Sequence, residues 1–167
     1  IGYPMPSTDI AIRGLDGKDV PMGEAGEICI RGPQVMVGYW NRPDETAKVM
    51  TEDSFFRSGD IGVALPDGQF KIVDRMKDMI LVSGFNVYPN EVEDVLASCP
   101  GVLEAAVIGL PDEHSGEVVA AYIVRKPGAE IDIEGVRAHC KQSLTGYKIP
   151  KYVIFRDALP KTNVGKV

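Results

Sequence analysis

The sequence of this 167-residue chain predicts an α+β fold in two parts: a β-rich N-terminal segment and a small C-terminal α+β domain with two main helices on a small sheet. Three observations predict it. Residues 1–74 carry short apolar/polar alternations broken by Asp-Gly and Gly-Pro turns. Residues 79–167 mix such runs with two stretches whose apolar residues recur at helical spacing. Between them stands Arg75-Met76-Lys77-Asp78, a polar interruption between two apolar strands that is taken as the domain boundary.

In chain order, residues 9–14 (DIAIRG) alternate and end in LDGKDV, whose Asp-Gly supplies a turn. Residues 27–32 (EICIRG) put Ile28 and Ile30 on one face, and Gly32-Pro33 stops the strand. A short helix is expected over 41–50, with Pro43 suited to its first turn and Asp44 and Glu45 facing the positive end of its dipole. Two strands follow, 60–65 and 69–74, joined through Pro66-Asp67-Gly68. Beyond the boundary, 79–84 reads as a strand and 89–99 as a helix with Val92, Val95, Leu96 and Cys99 on one face, ended by Pro100-Gly101. Strands at 102–110 and 117–126 are joined by the loop PDEHSG. A second helix spans 131–144 with Asp132 as N-cap and Gly146 beyond its end, and KYVIFRD (151–157) is the last strand.

Hydrophobic residues make up 44% of the chain, enough for a real core, and no run reaches the roughly 18 apolar residues of a membrane span. Neither a signal peptide nor a membrane helix is expected. Cys29, Cys99 and Cys140 are odd in number and never in a CxxC spacing, so they read as small buried hydrophobes in a reducing compartment. A net charge of −6 argues against nucleic acid as a partner. From Arg137 onward, however, seven Lys or Arg stand against one acid, Asp157. That stretch is either a solvated face or the contact for a phosphate-bearing small ligand.

GxxxxGK[ST] and GxGxxG are absent, although Gly165-Lys166 ends like the former. His114 and His139 are not in HExxH, and no metal site is expected in this chain. Asp112-Glu113-His114-Ser115 holds the ingredients of a hydrolase triad in one loop, where they cannot present a separated nucleophile, base and orienting acid.

Four stretches remain: GEICIRGPQVMVGYW (26–40), FRSGD (56–60), DRMKDMILVSGFNVYPNEVE (74–93) and PKTNVGK (160–166). In this order and spacing they resemble the C-terminal part of an adenylate-forming enzyme, the ANL superfamily of acyl-CoA synthetases, firefly luciferase and peptide-synthetase adenylation domains. The wording is most similar to bacterial long-chain fatty acid CoA ligases, which activate a fatty acid with ATP and pass it to coenzyme A.

The resemblance implies that residues 1–74 close a large adenylation domain, distorted and barrel-like, that 75–78 is the hinge, and that 79–167 is a small mobile cap. It assigns Asp60 and Arg75 to ATP and adenylate, Lys77 to the hinge, Ser83 and Gly84 to the CoA channel, and Lys166 to catalysis of adenylate formation. Read without the family, Asp60 is equally a turn aspartate, Arg75 an ion-pair partner of Asp74 or Asp78, and Ser83-Gly84 a strand-end turn. Lys166 by itself is equally a solvated tail lysine. As a fixed cation about 4 Å from a phosphoryl oxygen, at an effective dielectric near 20, it would supply roughly 4 kcal/mol, about three decades of rate.

The resemblance also implies partners and absences. ATP, coenzyme A and a fatty acid are the substrates, with Mg2+ held by ligands outside this chain. The phosphate loop, the acyl tunnel and the rest of the large domain are expected before Ile1, so the chain is read as a fragment, inactive alone. A cytoplasmic location is expected, with peripheral contact at the inner face of the membrane compatible with a lipid-dissolved substrate. Two other functions remain open: an adenylation domain that loads a carrier protein, and a non-catalytic nucleotide-binding or interaction module.

Overall fold

A computed structural model describes residues 2–163 and Gly165, which divide into two compact units, Ile1–Lys77 and Asp78–Val167. The first unit is a four-stranded antiparallel sheet in the order β1-β2-β3-β4: β1 Asp9–Arg13, β2 Gly26–Arg31, β3 Phe56–Ala64 and β4 Phe70–Arg75. Among the described residues this sheet is open rather than closed into a barrel. Helix α1, Pro43–Val49, begins on proline with Asp44 and Glu45 in its first turn and buries no residue.

The core of this unit is small: Ile12, Ile28, Cys29, Phe55 and Ile61 are its buried apolar residues. Phe55 is covered by two guanidinium groups, Arg13 at 4.7 Å and Arg31 at 4.5 Å from the ring centroid. Carboxylates hold both arginines in place, Asp19 and Asp53 for Arg13 and Asp9 for Arg31. The alternation of β2 therefore understated its burial. Glu27, Ile28 and Cys29 are all buried, so both faces of the strand are covered.

The second unit is α+β. Its strands are β5 Ile80–Val82, β6 Phe85–Val87, β7 Val102–Asp112, β8 Gly116–Arg125 and β9 Tyr152–Arg156, and its helices are α2 Pro89–Ala97 and α3 Ile133–Cys140. The sheet runs β6-β5-β8-β7, and β9 adds to β8 in parallel while the other pairings are antiparallel. β7 accompanies β8 along its length, so β5, paired at Gly116, and β9, paired at Ala120 to Val124, share the other edge.

The two helices close one face of the sheet. Val92 and Leu96 of α2, with Cys99 just past its end, occupy one stripe, as their spacing predicts; Val136 and Cys140 of α3 with Leu144 form the other. The Asp132 side chain accepts the Gly135 amide at 2.8 Å and caps α3. The helix ends at Cys140, earlier than the expected 144. Gln142 and Ser143 give their amides to carbonyls three residues back, the tighter turn that often finishes a helix.

The largest departure from the sequence reading lies at 79–84. Only Ile80–Val82 is strand; Ser83 (φ 51°) and Gly84 (φ 84°) form a two-residue turn, and the chain returns as β6 with Val82 paired to Phe85. Positive φ at both central residues matches the twist of the flanking strands, which is why hairpins favour this turn. Glycine meets the requirement at no steric cost, whereas serine there hides the signal that asparagine or aspartate would give.

Leu96 is fully buried in the helix-sheet core, whereas Leu103 is exposed on β7. Leu96→Ala is expected to destabilise the chain by about 2–5 kcal/mol and Leu103→Ala by about 0.5 or less, measured by urea denaturation.

Candidate functional site

The register of the first sheet brings together two residues singled out in the sequence. Asp60 on β3 lies opposite Arg75 at the end of β4, and Arg75 Nε stands 2.9 Å from Asp60 Oδ1. The Asp60 side chain is 22% exposed and that of Arg75 62%, so the carboxylate is sheltered while the guanidinium reaches outward. Arg75 thus pairs with Asp60 across the sheet rather than with its chain neighbours, although its backbone amide does donate to Asp74 Oδ1 at 2.7 Å.

The backbone before Asp60 is fixed by a residue the sequence reading passed over. Glu27, buried on β2, accepts Arg57 Nε at 2.8 Å on one oxygen and the Gly59 amide at 3.2 Å on the other. One carboxylate therefore anchors the chain on both sides of Ser58, whose hydroxyl accepts the Asp60 amide at 3.1 Å. A buried glutamate needs such partners, and an acid inside the alternating strand EICIR was the available signal. The result is a positioned carboxylate beside a planar five-donor fork, an arrangement able to accept from paired hydroxyls and donate to anionic oxygens.

Lys77 is exposed within a short 3-10 turn, Met76–Asp78, and the division between the two compact units falls directly after it. Lys166 lies outside the described residues.

In the second unit, Ser83 and Gly84 form the exposed tip of the β5–β6 hairpin. Beside the tip, the Phe85 ring stacks on Tyr147 with centroids 4.8 Å apart, and Lys148 binds both oxygens of Glu91 at 2.7 Å. Ser83 donates its amide to the Ser115 carbonyl at 2.8 Å, attaching the tip to the β7–β8 turn. In that turn the Ser115 hydroxyl donates to Asp112 at 2.7 Å, and Lys151 reaches Asp112 at 2.9 Å. The Lys151 ammonium, and after it the Ser115 hydroxyl, hold the Asp112 carboxyl down at about 2, while Asp112 raises Lys151. Asp112 and Ser115 are thus bound into a turn; His114 is absent from their network, and no triad forms.

Burial pushes all three thiols up, Cys140 to about 11, so none is a thiolate at neutral pH. Among the described residues no group of three or more His, Cys, Asp or Glu is arranged to hold a metal ion. No helix among them is long and apolar enough to cross a membrane.

With this geometry in hand, comparison with known proteins is specific. Residues 91–166 match the AMP-binding enzyme C-terminal domain, and residues 1–40 match the AMP-binding enzyme family. The chain is 56% identical over all 167 residues to a long-chain-fatty-acid–CoA ligase of Yersinia pestis, of which it spans 29%. It is 48% identical over 166 residues to a feruloyl-CoA synthase of an Amycolatopsis species, spanning 34% of it. The crystal structure of ATP-bound MatB from Rhodopseudomonas palustris superposes with a TM-score of 0.92 at 40% identity, over 100% of this chain and 33% of that one. The chain thus spans about a third of the length of the relatives it matches.

The Asp112–Lys151 pair makes a pH test. Because folding lowers the Asp112 pKa from its ordinary 3.8 to about 2, its contribution is complete above about pH 4 and is lost as pH falls toward 2. Asp112→Asn is expected to be less stable than the parent at pH 6, with the gap narrowing as pH falls below about 4 and closing as it passes through about 2, as read from urea midpoints.

Proposed function

Because this chain belongs to the AMP-binding, adenylate-forming enzyme family, we propose that it is the C-terminal part of a fatty acyl-CoA ligase that consumes ATP and coenzyme A. The observation that carries this reading is the sheltered Asp60 carboxylate held against Arg75. Asp60 accepts hydrogen bonds from the two ribose hydroxyls of the nucleotide, and the guanidinium donates to ribose and phosphate oxygens. Similarity over the whole chain to long-chain-fatty-acid–CoA ligases supports a fatty acid as the acyl substrate.

In the first half-reaction a fatty acid carboxylate oxygen attacks the α-phosphorus of ATP, a P–O bond forms, and diphosphate leaves with the electrons of the broken bond. Two anions meet in that step, and the Lys166 ammonium relieves their repulsion and stabilises the charge gathering on the phosphoryl oxygens. In the second, the CoA thiolate attacks the acyl carbonyl carbon and AMP departs, with the turn at Ser83-Gly84 lining the path of the pantetheine arm. The hinge at 75–78, centred on Lys77, exchanges the two arrangements. Mg2+ would neutralise phosphate charge when bound; the reading assigns its ligands, the phosphate loop and the acyl tunnel to the part of the relatives' length that this chain does not span.

This chain without the large domain is expected to make no acyl-CoA. The reading places the enzyme in the cytoplasm, touching the inner face of the membrane where a lipid-soluble substrate partitions.

The test uses the full-length protein. With ATP, CoA and a panel of fatty acids it is expected to release free acyl-CoA, AMP and diphosphate; loading of a carrier protein without free acyl-CoA would overturn the reading. Lys166→Ala is expected to lower adenylate formation by about 10³-fold, while a supplied acyl-adenylate still reacts with CoA. Equal loss of both half-reactions would remove Lys166 from its role.

A further inference from the structure

The hairpin tip at Ser83-Gly84 is attached to the rest of its sheet by very little backbone. β5 pairs with β8 at a single position, Val82 with Gly116. On one side of that position Ser83 gives its amide to the Ser115 carbonyl. On the other side Leu81 and Glu117 would be the next pair, yet there the exchange departs from a plain ladder. The Leu81 amide goes to the Glu117 carboxylate, at 2.7 Å from Oε2, and the Glu117 carbonyl lies 2.8 Å from the Ser115 hydroxyl, whose one proton is shared between it and Asp112. A side chain therefore stands where a strand carbonyl would.

The sheet is shaped around that carboxylate. Gly109 on β7 pairs with Val119, two positions along β8 from Glu117. A Cβ at Gly109 would come 2.8 Å from Glu117 Oε1 and 3.1 Å from Ile80 Cγ2. At the first distance something has to shift, and the free end of Glu117 is the part that can, so the bare backbone at 109 gives the carboxylate room to lie across the sheet to β5. Gly109, Ile80, Leu81 and Glu117 form one unit: a hole, its wall, a donor and the acceptor that joins them.

We propose that Glu117 is a positioning residue for thioester formation: its carboxylate clips β5 to β8 and so sets where the Ser83-Gly84 tip meets the pantetheine arm. The proposal rests on the channel role given to Ser83-Gly84 above. In the step concerned, the thiol proton goes to solvent, the thiolate sulfur bonds to the acyl carbonyl carbon, and the C–O bond to AMP breaks with its electrons leaving on AMP. Glu117 touches none of these atoms. It acts through a backbone amide two residues from the tip, and a displaced channel wall slows a step that depends on near-attack geometry. Adenylate formation does not use the tip and is left alone.

The experiment measures the two half-reactions separately in the full-length protein, ATP–diphosphate exchange for the first and reaction of supplied acyl-adenylate with CoA for the second. Glu117→Ala is expected to slow the second about 10- to 100-fold and change the first by less than about twofold. Glu117→Gln, whose amide oxygen still accepts from Leu81, restores the second to within about threefold of the parent. Equal loss in both half-reactions, no loss in either, or no rescue by glutamine overturns the proposal. Gly109→Ala, which pushes the carboxylate aside without removing it, shows the same one-sided loss, and it carries the test if Glu117→Ala does not fold.

Gly84→Ala separates this proposal from its premise. If it slows thioester formation and Glu117→Ala does not, the channel reading stands and the positioning role falls. If neither substitution slows the step, the channel reading falls and the positioning role with it.

Discussion

Strand β8 is buried from Val118 to Val124 apart from Tyr122, and the placement of everything else in the second unit follows from covering it. One edge is taken by β7 along the whole strand, and the other is divided between β5 at the Gly116 end and β9 from Ala120 to Val124. Because β9 runs parallel to β8, the chain must cross over between them, and α3 makes that crossing while burying Val136 and Cys140 on the sheet. Arg137 ties the crossover to the strand it delivers by donating to the carbonyls of Pro150 and Lys151. The Ser83-Gly84 tip therefore hangs from one end of β8, and the segment that continues from Arg156 toward Lys166 leaves from the other. Eight residues of strand separate the two attachments, roughly 26 Å.

The first unit presents the opposite arrangement, a site gathered at one place. Buried Glu27 fixes the chain around Ser58, an irregularity in the β3–β4 register falls between Ile61 and Gly62, and Asp60 comes to rest against Arg75. Arg75 is two residues before Lys77, after which the compact unit ends. The proposed nucleotide contacts and the proposed hinge are thus neighbours in the chain, and a rotation at Lys77 would leave Asp60 and its support where they are.

Much of this was legible in the residues themselves. Alternation located β1, β2 and β4, helical spacing located Val92, Leu96 and Cys99, and Asp132 identified its own cap, because each is a local preference that burial then reinforces. What escaped was set by partners distant in sequence. Glu27 looked like the solvent side of an alternating strand until Arg57 and Gly59, thirty or more residues away, gave its carboxylate a reason to be inside. Glu117 and Gly109 carried no local signal, since neither the clip nor the hole exists before β5 is placed beside β8. Ser83-Gly84 reads as a strand-end turn in the sequence, but the return strand β6 behind it is not signalled, because serine is an unusual choice for a left-handed turn position. The site residues Asp60, Arg75, Ser83 and Gly84 came from a family resemblance, and spacing alone would have left each of them an ordinary turn or surface residue.

The functional account stands on Asp60 as the acceptor for both ribose hydroxyls, and that can be measured without any turnover. Calorimetric titration of the full-length protein would compare a non-hydrolysable acyl-sulfamoyl adenosine with its 2′,3′-dideoxy counterpart. The parent protein is expected to bind the intact ribose about 10²-fold more tightly, as two hydrogen bonds to a charged group imply, and Asp60→Ala to bind both equally. Equal affinity of the parent protein for the two compounds, or discrimination that survives Asp60→Ala, would contradict it.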